Sequence, residues 1–142
     1  MLRGIPGILS PELMKCMMEM GHADVMLIAD ANYPAASHGG RVIRMDSVKI
    51  PELLEAVLQF FPLDNFVPNP VRLMRNLSTE PVPEIWETYR DMIKRMDKDH
   101  AFTDFAFIDR LPFYERSEKA YVIVQTGDTA RYANIMLQKG VC

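Results

Sequence analysis

The heptapeptide DVMLIAD, Asp24 to Asp30, sets five apolar residues in a row between two aspartates. An unbroken run of that length reads as a strand buried on both faces, and such strands belong to sheets with helices packed on either side. YVIVQTG, residues 121–127, repeats the pattern, and shorter strand candidates are RVIRMD, VRLM, FAFID and NIMLQKGV. Helical periodicity fills the spaces between them. In SPELMKCMMEMG, Ser10 can cap a helix, Pro11 suits its first turn and Gly21 its stop, with Leu13, Cys16, Met17 and Met20 as the apolar stripe. IPELLEAVLQFFPLD predicts a second helix framed by Pro51 and Pro62. VPEIWETYRDMIKRMDKD predicts a third, with Ile85, Tyr89, Met92, Ile93 and Met96 on one face. PFYERSEKA is a short helix, and ANYPAASHGG has the residues of a loop. Alternating strands and helices with short connections predict a single α/β domain over residues 1–142, a three-layer α/β/α arrangement around a mainly parallel sheet.

Composition narrows the function. The formal net charge of the 142 residues is −3 and no basic block occurs, so nucleic acid is a poor partner. No apolar run is long enough to span a bilayer, and Pro6, Gly7 and Pro11 interrupt any signal-type apolar segment. Two cysteines, Cys16 and Cys142, make no disulfide framework, and a reducing cytoplasm is the simplest compartment.

Ligands of such folds sit beyond the carboxyl ends of the strands, which singles out Asp30 and the Asp109-Arg110 pair. His22 can cap the helix before it or serve as a general acid/base, and Asp24 would share its face of an extended chain. His22, Asp24, Asp30 and His38 are residue types that zinc accepts, but no HxxxH or HExxH spacing occurs, so no metal is expected. If the chain between His22 and Asp30 is extended, the two lie roughly 20–26 Å apart. Both can then serve one small substrate only across two subunits, which favours an oligomer with pockets at its interfaces. IDRLPFYER offers Arg110, Tyr114, Glu115 and Arg116, a mixture suited to a sugar or an anion, and Tyr132 and Asn134 can hydrogen-bond hydroxyls. No phosphate-binding glycine loop and no nucleophile elbow is present.

SPELMKCMMEMGHADVMLIADANYPA, PLDNFV and DRLPFYERSEKAYVIVQTGDTARYANIMLQKGV together resemble the family of fucose mutarotases and D-ribose pyranases. The FYER block leans to the fucose branch. The resemblance implies an isomerase that interconverts the α and β anomers of L-fucose without a cofactor, with D-ribose or a broader set of aldoses as the alternative. A sugar-binding module without catalysis is the rival of another class. It implies His22 as the principal general acid/base, with Asp64 and Tyr114 as further catalytic positions. Asp30, Arg110, Tyr132 and Asn134 would bind the sugar, and Met74 would form an apolar wall. It further implies a homo-oligomeric ring, a decamer among the forms that occur, with sites at subunit interfaces. Ala23, Asn32, Tyr33, Pro112 and Ala133 depart from the family's pattern.

Overall fold

A computed structural model describes residues 1–142. Its elements in chain order are α1 (Pro11–Glu19), β1 (Val25–Ala29), α2 (Ala35–His38), β2 (Val42–Met45), α3 (Ile50–Leu58), β3 (Val71–Met74), α4 (Ile85–Met96), β4 (Ala106–Ile108), α5 (Arg110–Ser117), β5 (Val122–Thr126) and β6 (Ile135–Gln138). The strands form one sheet in the order β2-β5-β1-β6-β3-β4. β1 and β2 flank β5 in parallel, and β3 runs parallel to β4. β6 lies antiparallel between β1 and β3. The sheet is thus mainly parallel, as the alternation of elements predicts, with one reversed strand near its middle. The turn α2 is the element that the loop-like ANYPAASHGG does not announce.

Alternation along the strands divides the core into two layers. Met26, Ile28, Val122, Val124, Leu73 and Ile135 point to the face covered by α1, α3 and α4. Leu27, Ala29, Ile123, Met74 and Met136 point to the other face, where Ala35 of α2 and Phe113 of α5 pack. β1 has both faces covered, which is why it tolerates no polar residue. Full burial of side chains such as Leu27, Ile28 and Ile123 stabilises the fold by about 2 kcal/mol each.

The helix starts are fixed by side-chain hydrogen bonds. Ser10 Oγ accepts from the Leu13 N–H at 3.1 Å at the head of α1. Asp128 Oδ2 accepts from the Ile50 N–H at 3.0 Å and ties the head of α3 to the turn after β5. No helix is long and apolar enough to cross a membrane.

The reversed strand has a consequence for chemistry. The carboxyl ends of β1, β3 and β4 lie at one edge of the sheet, together with the amino end of β6. The amino end of β1, the start of β3 and the carboxyl end of β6 lie at the opposite edge. β6 therefore carries Asn134 to the first edge and Gln138 to the second.

Candidate active site

The first edge holds a cavity of about 240 Å³ lined by Asp30, Asn32, Tyr33, Met74, Arg110, Tyr114, Arg131, Tyr132 and Asn134 among others. Asp30 follows β1 and is buried. Its N–H donates to Asn134 Oδ1 at 2.8 Å, and Asn134 Nδ2 donates back to Asp30 Oδ2 at 2.9 Å. Asp30 Oδ1 accepts from the Asn32 N–H at 2.9 Å. Burial pushes the Asp30 carboxyl above its ordinary value, and the hydrogen bonds from Asn32 and Asn134 offset only part of that rise.

Around this pair the side chains divide by task. Arg110 opens α5 and its side chain makes no hydrogen bond or ion pair within the chain, so its guanidinium is free for a ligand. Its neighbour Asp109 is held by Arg75 Nε at 2.9 Å. Tyr114 lies one helical turn on, set edge-on to Tyr33 at 5.5 Å and beside His38 at 5.2 Å between ring centroids. Met74 supplies an apolar surface. Tyr33 is buried with a hydroxyl that has no hydrogen-bond partner, and burial pushes its phenol up to about 12.

Tyr132 takes a left-handed backbone conformation, φ 54°, an arrangement that costs an ordinary residue about 1 kcal/mol. α4 holds it there. Trp86 Nε1 donates to the Tyr132 carbonyl at 2.9 Å, and the Tyr89 hydroxyl donates to the Ala133 carbonyl at 2.8 Å. The Tyr132 hydroxyl donates to Glu80, whose other oxygen pairs with Arg131.

At the opposite edge, His22 Nε2 lies 3.2 Å from Asp64 Oδ1 and its ring packs against Phe66 at 5.3 Å. The His22 side chain is half-exposed, whereas that of Asp64 is only 1% exposed. Asp64 also accepts from the Phe66 N–H at 3.0 Å and from Gln138 Nε2 at 2.8 Å. Burial alone would raise this carboxyl. The bonds from Phe66, Gln138 and His22 together outweigh it and hold the group below the ordinary carboxylate range. Asp64 is thus a carboxylate at neutral pH, placed to orient an imidazole and to stabilise it when charged. Ala23, next to His22, has φ 69°, a left-handed position that suits glycine better.

The structure therefore gathers Asp30, Met74, Arg110, Tyr114, Tyr132 and Asn134 around one cavity, and His22 with Asp64 at the other edge. His22 precedes β1 and Asp30 follows it, so they lie on the order of 20 Å apart. No group of three or more metal-ligating side chains comes together.

Residues 3–142 match the RbsD / FucU transport protein family. The chain belongs to that family. Among its curated relatives is a fucose mutarotase of Homo sapiens, 42% identical over 99% of this chain and 94% of that protein. Among solved structures, the fucose mutarotase of Streptococcus pneumoniae in complex with L-fucose is 48% identical, covers 99% of both chains and superposes with a TM-score of 0.93. FucU from Bifidobacterium longum is 43% identical with a TM-score of 0.92 over 99% of both chains. The family's architecture is that described above, a single α/β domain.

Several residues at the two edges escape sequence reasoning. Arg131 sits in a stretch that reads as plain loop, Asn32 and Tyr33 stand out only as departures from the family's pattern and not as cavity residues, and Glu80 lies in a proline-containing connection far along the chain from Tyr132. Arg72 and Gln138 read as ordinary polar residues at strand ends. A register assignment for β6 against β3 is the signal that would have found the last two, since it sets Arg72 opposite Met136 and close to Gln138.

Proposed function

We propose that this protein is an L-fucose mutarotase that opens and recloses the sugar ring by acid/base catalysis, without a cofactor. The observation that carries the reading is the likeness to the Streptococcus pneumoniae fucose mutarotase, 48% identical over 99% of both chains. D-Ribose is the nearest alternative substrate.

The chemistry asks for little. A base takes the proton of the anomeric hydroxyl, the C1–O5 bond breaks as C1=O1 forms, and O5 receives a proton. Rotation about C1–C2 and the reverse steps on the other carbonyl face give the second anomer. One or two poised proton carriers and a clamp for the remaining hydroxyls suffice. His22, backed by the Asp64 carboxylate, is the principal carrier, and Tyr114 serves the second oxygen. Asp30 and Asn134 hold hydroxyls, Arg110 and Tyr132 complete the polar clamp, and Met74 faces the apolar side of the sugar.

These groups meet across two subunits. His22 and Asp64 of one protomer complete the cavity of the next, because within one chain β1 keeps them apart. Exposed apolar residues flank both edges, with Phe66 beside His22 and Leu77 and Leu111 beside Arg110 and Tyr132 of the cavity. Such unlike surfaces in contact generate a ring when the rotation closes, and a decamer is the form we expect. Cys16 and Cys142 are unpaired, which suits a cytoplasmic setting.

Exchange NMR on equilibrated L-fucose, with D-ribose and D-galactose in parallel, tests the function. Anomer exchange accelerated by the protein for fucose is the expected result. Acceleration for ribose alone would move the substrate, and binding without exchange for any sugar would leave a non-catalytic module.

A further inference from the structure

Behind Asp64 stands a pair of residues to which the reaction as described assigns no part. Gln138 ends β6 and is buried. Its Nε2 donates to Asp64 Oδ2 at 2.8 Å, and its Oε1 accepts from Arg72 Nη2 at 2.7 Å. A guanidinium can only donate, so Arg72 dictates which end of the amide it meets. With the carbonyl end taken by Arg72, the NH₂ end must face Asp64. A flipped amide would set its carbonyl oxygen against the carboxylate and its NH₂ against the guanidinium.

Arg72 itself occupies an unfavourable place. It is half-buried on β3, it forms no ion pair, and the one hydrogen bond of its side chain goes to Gln138. Burial and the like charge of Arg116 on α5 both depress its pKa, while Asp64 acts in the opposite sense. A guanidinium kept there at a cost, with its one side-chain hydrogen bond given to an amide that in turn holds a buried carboxylate, is arranged to act on that carboxylate. The chain of contacts runs Arg72, Gln138, Asp64, His22, with heavy-atom distances of 2.7, 2.8 and 3.2 Å.

We infer that Arg72 and Gln138 are positioning residues for the proposed proton carrier: Arg72 fixes the Gln138 amide, and the amide keeps Asp64 ionised and aimed at His22 Nε2. The inference rests on the reading of His22 given above. It accounts for how a carboxylate so deeply buried stays charged while its acidic partner is a half-exposed histidine that alternates between neutral and charged forms. Each time His22 is neutral, Asp64 loses an ionic partner, and the fixed donors Gln138 Nε2 and Phe66 N–H hold the charge until the proton returns. The charged or titratable groups facing Asp64 are His22 from the entry to β1 and Arg72 from β3, with Arg116 of α5 facing Arg72.

The test uses the full-length protein in four forms: wild type, Arg72→Met, Arg72→Lys and Gln138→Leu. Two readouts are taken, the carbon-13 NMR titration of the Asp64 carboxyl and the pH profile of L-fucose anomer exchange. In Arg72→Met and Gln138→Leu the Asp64 midpoint should move up by about one pH unit. The acid limb of kcat should move with it, and at neutral pH, where Asp64 is still ionised but no longer aimed, kcat should fall about tenfold while KM stays within twofold. Arg72→Lys, which still donates to Gln138 Oε1, should recover most of the wild-type behaviour. Arg72→Met keeps the apolar stem and guards against a misfolded Gln138→Leu. An Asp64 midpoint unchanged in Arg72→Met, or a loss shared in full by Arg72→Lys, overturns the inference. Absence of anomer exchange in the wild type would overturn the proposed function instead, and the carboxyl titration, which needs no sugar, would still decide the relay.

Discussion

Asp30 and Asn134 hold each other by two hydrogen bonds, Asp30 N–H to Asn134 Oδ1 at 2.8 Å and Asn134 Nδ2 to Asp30 Oδ2 at 2.9 Å. One side chain thus satisfies both the backbone and the carboxylate of a buried aspartate. Asn134→Ala strands both groups and should cost about 2–4 kcal/mol at neutral pH. The loss should depend on pH with a definite sign. Burial raises the Asp30 carboxyl above its ordinary value, so the native state holds that proton more tightly than the unfolded chain. Its unfavourable contribution is absent below the ordinary carboxylate range and grows as pH rises through the raised value. Urea unfolding at pH 4 and pH 7 should therefore show a smaller penalty for Asn134→Ala in acid. Equal penalties would mean that Asp30 is not the group affected.

A site shared between neighbours makes a prediction that a self-contained site does not. His22→Ala should lose catalysis by at least about a hundredfold, because a general acid/base contributes on that scale. Arg110→Ala should also be nearly inactive, through lost binding. Mixing the two variants under conditions of subunit exchange creates some interfaces with both wild-type halves, about a quarter of them at equal amounts. Activity should then rise to about a quarter of the wild-type rate. A mixture no more active than its components would place His22 and Arg110 in one self-contained site.

Tyr132 and Glu80 yield a third test. The hydrogen bond to Glu80 raises the Tyr132 phenol above its usual value, first by the bond itself and then by burial. Glu80→Ala removes that bond and frees a side chain on a left-handed backbone. The phenol should titrate at lower pH by ultraviolet difference spectroscopy, and KM for L-fucose should rise severalfold with kcat little changed. An unaltered KM would remove Tyr132 from the sugar clamp.

Much of this architecture is readable from the chain, for identifiable reasons. β1 and β5 are continuous apolar runs because both their faces are covered, and α1 declares its start through Ser10 and Pro11. What periodicity cannot disclose is pairing direction. NIMLQKGV reads as a strand, yet its reversal between β1 and β3 is a tertiary fact, and that reversal decides which edge receives Asn134 and which Gln138. Separation of His22 from Asp30 is legible, since it follows from strand length alone. Asp64 is different. As a pattern it is a helix-exit turn after Pro62, and only the family resemblance marks it. Its environment comes from Phe66, Gln138 and His22, two of them distant in sequence, and no local rule brings them together.

The backbone beneath Asp64 supplies the last prediction. Gly140 donates its N–H to the Pro62 carbonyl at 2.8 Å, and the Asp64 N–H donates to the Gln138 carbonyl at 3.1 Å. A Cβ at residue 140 would stand 2.5 Å from the Leu63 carbonyl oxygen and 2.9 Å from Asp64 Cα. Both are backbone atoms, so the Leu63–Asp64 segment must move away. Gly140→Ala should cost about 1–3 kcal/mol. The displacement falls on the carboxylate that orients His22, and kcat should drop tenfold or more, since sub-ångström misplacement of a catalytic group has effects of about that size. KM should hold, because the proposed hydroxyl clamp of Asp30, Arg110, Tyr132 and Asn134 lies at the other edge of the sheet. Gly127→Ala is the contrasting case. There a Cβ would meet the Asp46 carbonyl oxygen at 1.8 Å, in the turn that also carries Asp128 to the head of α3. That variant should fail to fold stably. A Gly140→Ala protein with wild-type kcat and a lowered melting temperature would show that Asp64 tolerates displacement, and would separate it from the proton-transfer machinery.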